Sequence, residues 1–345
     1  MLAIHFPYAP GDFGFRVKSK ALVPLAAAQV ARSVSISTEV FRVYEYERRA
    51  DGCIRPARRL STRVHPQEIL RSLAYPLLLA ATLCVAASSL ILDWDPGRVS
   101  PLFLVGTLIY LAALERLIPH RRDWHPSRAE WRWYGVYFLL TMAASALAQL
   151  GVTTAVGRIS PADPALPLWA EIPAALLSGS LASYLVHRLG HANPLLWRLH
   201  GVHHVPQKVN VANNGVNHVL DIVLAQGAVQ LTLALAGFSS RSVLATGLFV
   251  AAQGYFVHAN IDVRIGRLNH ILASPEQHRL HHSTELSEAG HYGSDLSCWD
   301  HLFGSFTWRP GREPAAVGLC DPASFPGTGE ILGSLLHPWR RAKGA

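Results

Sequence analysis

The sequence predicts an all-α polytopic membrane protein: four to six membrane helices under a cytoplasmic, histidine-rich helical cap. Three observations carry this. Half of the 345 residues are hydrophobic, and the mean hydropathy is +0.20. The apolar residues gather in runs of about twenty, long enough to cross a bilayer, rather than at the spacing of a water-soluble core. Thirteen of the 18 histidines fall between His187 and His301, beginning where the fourth run ends.

Composition removes several classes of function. Only 16% of residues are charged, which argues against disorder. Lys+Arg 31 against Asp+Glu 23 gives a net charge of +8. Much of that charge sits in short loops between apolar runs, which suits the cytoplasmic face of a membrane and not nucleic acid. Cys53, Cys84, Cys298 and Cys320 are far apart and form no CxxC pair, so neither a disulfide scaffold nor a thiolate zinc site is expected. The first residues hold no basic segment leading into a short apolar stretch and a small-residue cleavage site. Targeting is therefore expected from the first membrane helix.

Residues 1–70 read as a cytoplasmic or membrane-surface lead-in, with room for an amphipathic helix on the membrane. They carry Pro7, Pro10, Pro56 and Pro66 and the basic residues Arg58, Arg59 and Arg63. Spans are expected over 73–92, from Pro101 to about Leu114, over 133–157 and over 167–186, the last with Glu171 near one end. Asp93, Asp95 and Pro96-Gly97 end the first, and Glu115 and Arg116 end the second. Arg58 to Arg71 precedes span one, and the basic loop Arg116 to Arg132 joins spans two and three. Both belong in the cytoplasm, so the 93–100 and 158–166 loops fall outside and His187 emerges on the cytoplasmic side. The apolar stretches 219–238 and 243–257 form either a complete hairpin or a shallow re-entrant one, and both bring His258 back to that side. The embedded domain is expected over 71–310, with a cytoplasmic tail over 311–345.

The histidines recur at helical spacing. His187 and His191 are four apart; His200, His203 and His204 form an HxxHH motif; His278, His281 and His282 repeat it 78 positions later. Residues three and four apart share a helix face, so each motif aims at least two imidazoles one way. Asn193 as cap with Pro194 in the first turn predicts a helix that Pro206 stops. Ser274-Pro275-Glu276-Gln277 reads as a capping box before His278. Imidazole suits iron and zinc. Eight histidines exceed what one ion can use and suit two ions a few ångströms apart, and His218, His258 and His291 are further candidates.

Other residues carry plainer readings. His120, His125 and His337 read as hydrogen-bonded surface groups, and His270 and His301 as structural, with His301 a candidate partner of a ligand. Arg188 and Arg279 are expected to pair with carboxylates or phosphates at the rim. Metal-bound imidazoles donate their other N–H, and Asp262, Glu276, Asp295, Asp300, Asn214 and Asn260 lie near enough in sequence to accept it.

In order and spacing, His187-x3-His191, His200-x2-His203-His204 and His278-x2-His281-His282 resemble the boxes of the fatty acid hydroxylase / sterol desaturase family of membrane di-iron enzymes. Leu196-Trp197-Arg198-Leu199-His200 is similar to the run into its second box, Phe256-Val257-His258-Ala259-Asn260 to its additional His-x-Asn element, and Tyr292-Gly293 with Trp299-Asp300-His301-Leu302-Phe303-Gly304 to its closing signature. Asn217-His218-Val219 lacks the arginine and proline of the matching family stretch, and His291 stands where the family usually has Asn. The resemblance covers roughly 130–310.

It implies two iron ions per chain, held by the eight box histidines with His258 and with His218 or His291. They would use dioxygen to hydroxylate or desaturate a lipid, whether a sterol, a fatty acyl chain or a related molecule. Electrons would come from a NAD(P)H-dependent reductase through a separate electron-transfer protein, because the chain has no haem-binding His-Pro-Gly-Gly box, cysteine cluster or Gly-x-Gly-x-x-Gly loop. Three other readings remain open: a zinc-dependent membrane hydrolase, against which the lack of HExxH counts; a metal transporter, which would place its histidines mid-span; and a non-catalytic metal-binding membrane protein.

Overall fold

Every apolar run of the sequence is a helix in the computed structural model, which describes residues 31–35, 42–48, 54–61, 66–156 and 166–340. The chain divides into two units, Met1–Val64 and His65–Ala345.

The first unit holds a three-stranded antiparallel sheet in the order β1 (Ala31–Ser35), β2 (Arg42–Arg48), β3 (Ile54–Ser61). Ala31 lies opposite Tyr46 and Arg42 opposite Ser61, with a register shift at Glu45/Tyr46. Strands, and not a surface helix, occupy the described part of this lead-in, and the rest of 1–65 lies outside the described residues. Val43-Tyr44-Glu45-Tyr46-Glu47 alternates with period two and is rich in β-formers, which favours an extended chain.

The second unit is helical, as the sequence predicts. Among the described residues, three helices are long and apolar enough to cross a membrane: α1 (Pro66–Ile91), α2 (Pro96–Leu117) and α3 (Arg128–Val156). Their apolar faces stay open, with Leu102 at 72% exposure and Ile109 at 66%. That much apolar surface fits lipid and would be a liability in water. The long α4 (Leu168–Ala192) follows, then the short α5 (Pro194–His200), then α6 (Val219–Leu235) and α7 (Ser240–Val257). α6 packs on α3 and α4, while α7 packs on α1, α2 and α4.

Local chemistry sets the helix starts. The Asp95 carboxylate accepts from Arg98 N at 2.9 Å and Pro96 follows it, which opens α2. Ser239 caps α7 by accepting from Ser242 N. Glu171, buried in the first turn of α4, accepts from both the backbone N–H and the hydroxyl of Ser239. This ties the start of α4 to the α6–α7 turn, where Gly237 takes φ +72°.

Beyond α7 come α8 (Pro275–His281), α9 (Cys298–Leu302) and α10 (Ile331–Leu336), joined by irregular chain. Residues 311–340, expected as a tail, pack back on this unit. Phe325 and Leu319 share a buried cluster with Val202, Val216, Tyr134 and Tyr137, and the Arg198 guanidinium donates to Pro338 O at 2.8 Å. Gly201 is required there, because a Cβ would come within 2.3 Å of the Phe325 ring.

Candidate metal centre

The helix ends converge on one place. His187 and His191 occupy the last turns of α4, and His200 ends α5. The chain then tightens into a 3-10 turn over Gly201–His204 that carries His203 and His204. Asn193 accepts from Leu195 N at 2.8 Å and Leu196 N at 3.2 Å, which starts α5 as the sequence predicts. Ser274 and Gln277 form the expected capping box, so α8 presents His278 and His281, with His282 at its C-terminal cap. His258 caps the end of α7.

Nine imidazoles form two adjoining groups, each with its candidate ligand atoms within 4.8 Å of one another: His187, His191, His200, His204 and His281, and His203, His258, His278 and His282. The partition follows helical spacing. In each HxxHH motif the first and last histidines share a group, and the middle one joins the other group. Adjacent helical residues point about 100° apart, so an HH pair divides between two centres. The groups touch where His204 stacks on His282, ring centroids 4.3 Å apart.

The donors fit metal ions. Four Nδ1 atoms are turned outward and donate: His187 to Tyr292 O (2.6 Å), His200 to Asp221 Oδ2 (3.0 Å), His203 to Val216 O (3.2 Å) and His258 to Asn210 O (2.9 Å). That leaves Nε2 facing inward. Nε2 of His191, His200, His204 and His258 is buried with no hydrogen-bond partner, a loss of roughly 1–3 kcal/mol for each such group. The Nε2 atoms of His187 and His281 stand 3.1 Å apart, as do those of His278 and His282. Two nitrogens at right angles on one ion, each about 2.1 Å from it, are separated by about 3.0 Å. Burial also holds His200, His203, His204, His278, His281 and His282 well below the ordinary histidine range and His258 down to about 4. All are therefore neutral, which is the ligating form.

Comparison with known proteins agrees with this geometry. Residues 172–305, which hold all nine histidines, match the fatty acid hydroxylase family model. The chain is similar to that family over this segment. It is 29% identical over 287 residues to the ornithine lipid hydroxylase of Rhizobium tropici, covering 76% of this chain and 86% of the relative. Alkylglycerol monooxygenases of Homo sapiens (28% identity; 43% of this chain, 33% of theirs) and Danio rerio (27%; 48% and 37%) are also similar. This chain spans about a third of the length of those two. No solved structure matches.

Two candidates lie outside both groups. His218 uses both nitrogens elsewhere: Nδ1 accepts from Leu220 N (3.1 Å) and Nε2 donates to Leu335 O (3.1 Å), so it caps α6 and holds α10. His291 is buried at φ +66° with its Nδ1 3.7 Å from Asp300 Oδ2. Among non-glycine residues Asn, Asp and His are the types enriched in that left-handed conformation, so a histidine fits this position. Burial pulls His291 down to about 4.

The expected carboxylate partners accept no hydrogen bond from the nine imidazoles. Asp300 accepts from Tyr292 N (2.7 Å), Gly293 N (2.9 Å) and Ser305 Oγ (2.7 Å), so it fixes the turn whose Tyr292 carbonyl holds His187. Asp295 accepts from Ser180 Oγ at 2.6 Å, Asp262 pairs with Arg71, and Glu276 takes Asn269 Nδ2 at 3.3 Å. Asn260 pairs with the Arg121 backbone, and the Asn214 carbonyl accepts from Asn217. His270 and His301 stack on each other.

The two arginines do not pair as expected. Arg188 donates to Tyr184 Oη and Phe303 O, and the buried Arg279 reaches Ile261 O at 3.4 Å. Both find oxygens of the folded chain closer than any rim carboxylate. His125 donates to Glu115 O at 2.8 Å, while the His120 ring packs edge-on to Trp124.

Sequence reasoning missed Glu115, read only as the charge ending span two. Its buried carboxylate accepts from Val211 N (2.7 Å) and Asn260 N (2.8 Å), clamping the two segments that position His258. It missed Asn210 as well, whose carbonyl takes the His258 N–H while its side chain donates to Trp124 O. Asp221, which accepts from His200 Nδ1, also goes without a role in the sequence reading. Its spacing three residues after the helix-capping His218 is the one available signal.

A cavity of about 380 Å³ adjoins the histidines among α2, α3, α4, α6 and α7. His187, His200, His203 and His278 form part of its wall with Met142, Ala225 and Gly254.

Proposed function

We propose that this chain is a membrane oxygenase that hydroxylates a lipid C–H bond, using dioxygen and two electrons from outside the chain. Two irons are the ions we assign to the nine histidines. The observation that carries this reading is the pair of adjoining all-imidazole groups set in the wall of a cavity among membrane helices. The hydroxylase names of the relatives support the reaction class, and dioxygen is the oxidant such a reaction requires.

Bound there, two irons supply activation of dioxygen for attack on an unactivated C–H bond. The balance is R–H plus dioxygen, two electrons and two protons giving R–OH and water. The chain's own residues bind and orient. Asp221 and the Tyr292, Val216 and Asn210 carbonyls hold each imidazole by its Nδ1–H, so Nε2 cannot turn away. The burial that keeps the ligands neutral also limits water at the centre. The cavity between the spans admits an apolar chain beside His187, His200, His203 and His278.

We place the histidine face on the cytoplasmic side, because the basic loops lie at that end of the spans. A separate electron-transfer protein fed by a NAD(P)H-dependent reductase is the donor this orientation suits. The relatives' names favour hydroxylation over desaturation.

The test is incubation of detergent-purified, iron-loaded protein with a membrane lipid extract, a reductant and 18O-labelled dioxygen. A lipid heavier by one 18O atom, absent with His203→Ala, is expected. Turnover of an ester or amide without dioxygen or electrons would favour the zinc hydrolase instead.

A further inference from the structure

The histidine centre is a wall between two cavities. The first is the 380 Å³ space described above. A second, of about 470 Å³, reaches the centre at His191, His204 and His281. The two cavities share no lining residue, and the histidines they touch are complementary. Apart from the end of α4, no long helix contributes to the second cavity. Its walls are α5 with Trp197, the chain after His282 including Ala289, and the 318–324 segment with Cys320. Nε2 of His191 and His204 is buried and without a hydrogen-bond partner beside it.

A two-reactant site must admit its second reactant while the first is bound. A lipid chain filling the first cavity covers His187, His200, His203 and His278 and leaves His191, His204 and His281 accessible only from the second. That cavity opens between α5 and the loops at 283–289 and 318–324 and not among the long apolar helices, so a chain leaving the bilayer does not enter it. Trp197, Leu286, Ala289 and Leu319 give it an apolar wall that suits a small neutral molecule. We propose that the second cavity is the port by which dioxygen reaches the centre while lipid occupies the first. The proposal rests on the oxygenase reading.

Cys320 makes it testable, because its thiol is exposed in the port and donates to Thr284 O. In a chain with Cys53, Cys84 and Cys298 replaced by alanine, Cys320 is labelled with a pyrene maleimide. Anaerobic, ferrous-loaded protein is then mixed with nitric oxide, the diatomic probe, and complex formation is followed by stopped-flow absorbance. Labelling should slow association at least tenfold at unchanged iron content, and Ala289→Phe should slow it without any label. Ala225→Phe, which fills the first cavity, should leave association within twofold while weakening lipid binding. Nitric oxide association indifferent to both the label and Ala289→Phe would overturn the port, as would slowing by Ala225→Phe alone. Label-sensitive reduction with unchanged nitric oxide association would overturn it too, giving the cavity to the electron donor. If the unmodified chain takes up iron and hydroxylates lipid, any of these failures belongs to the port alone. A chain that takes up no iron would overturn the oxygenase reading together with the port.

Discussion

His203 and His204 are neighbours in the chain, yet their rings stand at 88° to each other and serve different groups of imidazoles. His281 and His282 repeat this at 89°. Each HH pair is therefore a fork that divides its two imidazoles between the adjoining groups. His204 belongs to the group of five and His203 to the group of four. His203→Ala should leave its ion three imidazoles and drop iron content from about two to about one per chain. His204→Ala should leave four on the other side and retain both ions with weaker affinity. Iron analysis after dialysis against a graded chelator series separates the two outcomes.

Asp221 is the only carboxylate that accepts from one of the nine imidazoles among the described residues, through His200 Nδ1 at 3.0 Å. Asp221→Asn keeps the shape and removes the charge, so iron affinity should fall about 10–100-fold. Unfolding of the iron-free protein should move far less. A variant with unchanged chelator resistance would remove Asp221 from this role.

Gly293 lies against the turn that Asp300 holds. A Cβ there would meet Leu296 O at 2.5 Å and Asp300 Oδ2 at 2.6 Å. Gly293→Ala should cost about 1–3 kcal/mol of stability through overpacking. It should also loosen the Tyr292 carbonyl that holds His187. A lower unfolding midpoint in detergent, with iron lost more readily, checks both parts.

His218 satisfies both ring nitrogens with backbone groups. His218→Ala should therefore leave iron content at two per chain and lower stability by about 0.5–2 kcal/mol, as loss of a helix cap does. Loss of one iron would instead make His218 a ligand.

Acid should destabilise the iron-free fold for an identifiable reason. Burial pulls His291 to about 4; burial and the nearby Arg279, Arg121 and Arg264 pull His120 to about 3. Below the unfolded value near 6.5, the unfolded chain takes up protons that the folded chain refuses. Stability from this source is thus complete above about pH 6.5 and declines as pH falls toward 4. His291→Asn removes one such site while suiting φ +66°, so its unfolding midpoint should fall less between pH 7 and 5. An identical pH profile would contradict the assignment.

What could be read in the sequence was local. The caps at Asn193 and Ser274, the apolar runs and the three boxes are each encoded within a few residues, and the structure contains each of them. The division of the eight box histidines into five and three needed only helical spacing, but His258, the fourth of the smaller group, joins through Asn210 and Glu115, contacts spanning 48 and 145 positions. No periodicity announces such contacts. The closure of 319–340 over Gly201 is equally remote in sequence. His291 was ambiguous because a residue type does not reveal a positive φ.

The central claim is that nine imidazoles hold two adjacent irons. Mössbauer spectroscopy with metal analysis of detergent-purified, iron-57-loaded protein tests it most directly. About two irons per chain in an antiferromagnetically coupled pair, reduced by His203→Ala and by His282→Ala, is the expected result. Failure to take up iron after anaerobic loading, or stoichiometric zinc that iron does not displace, would contradict it.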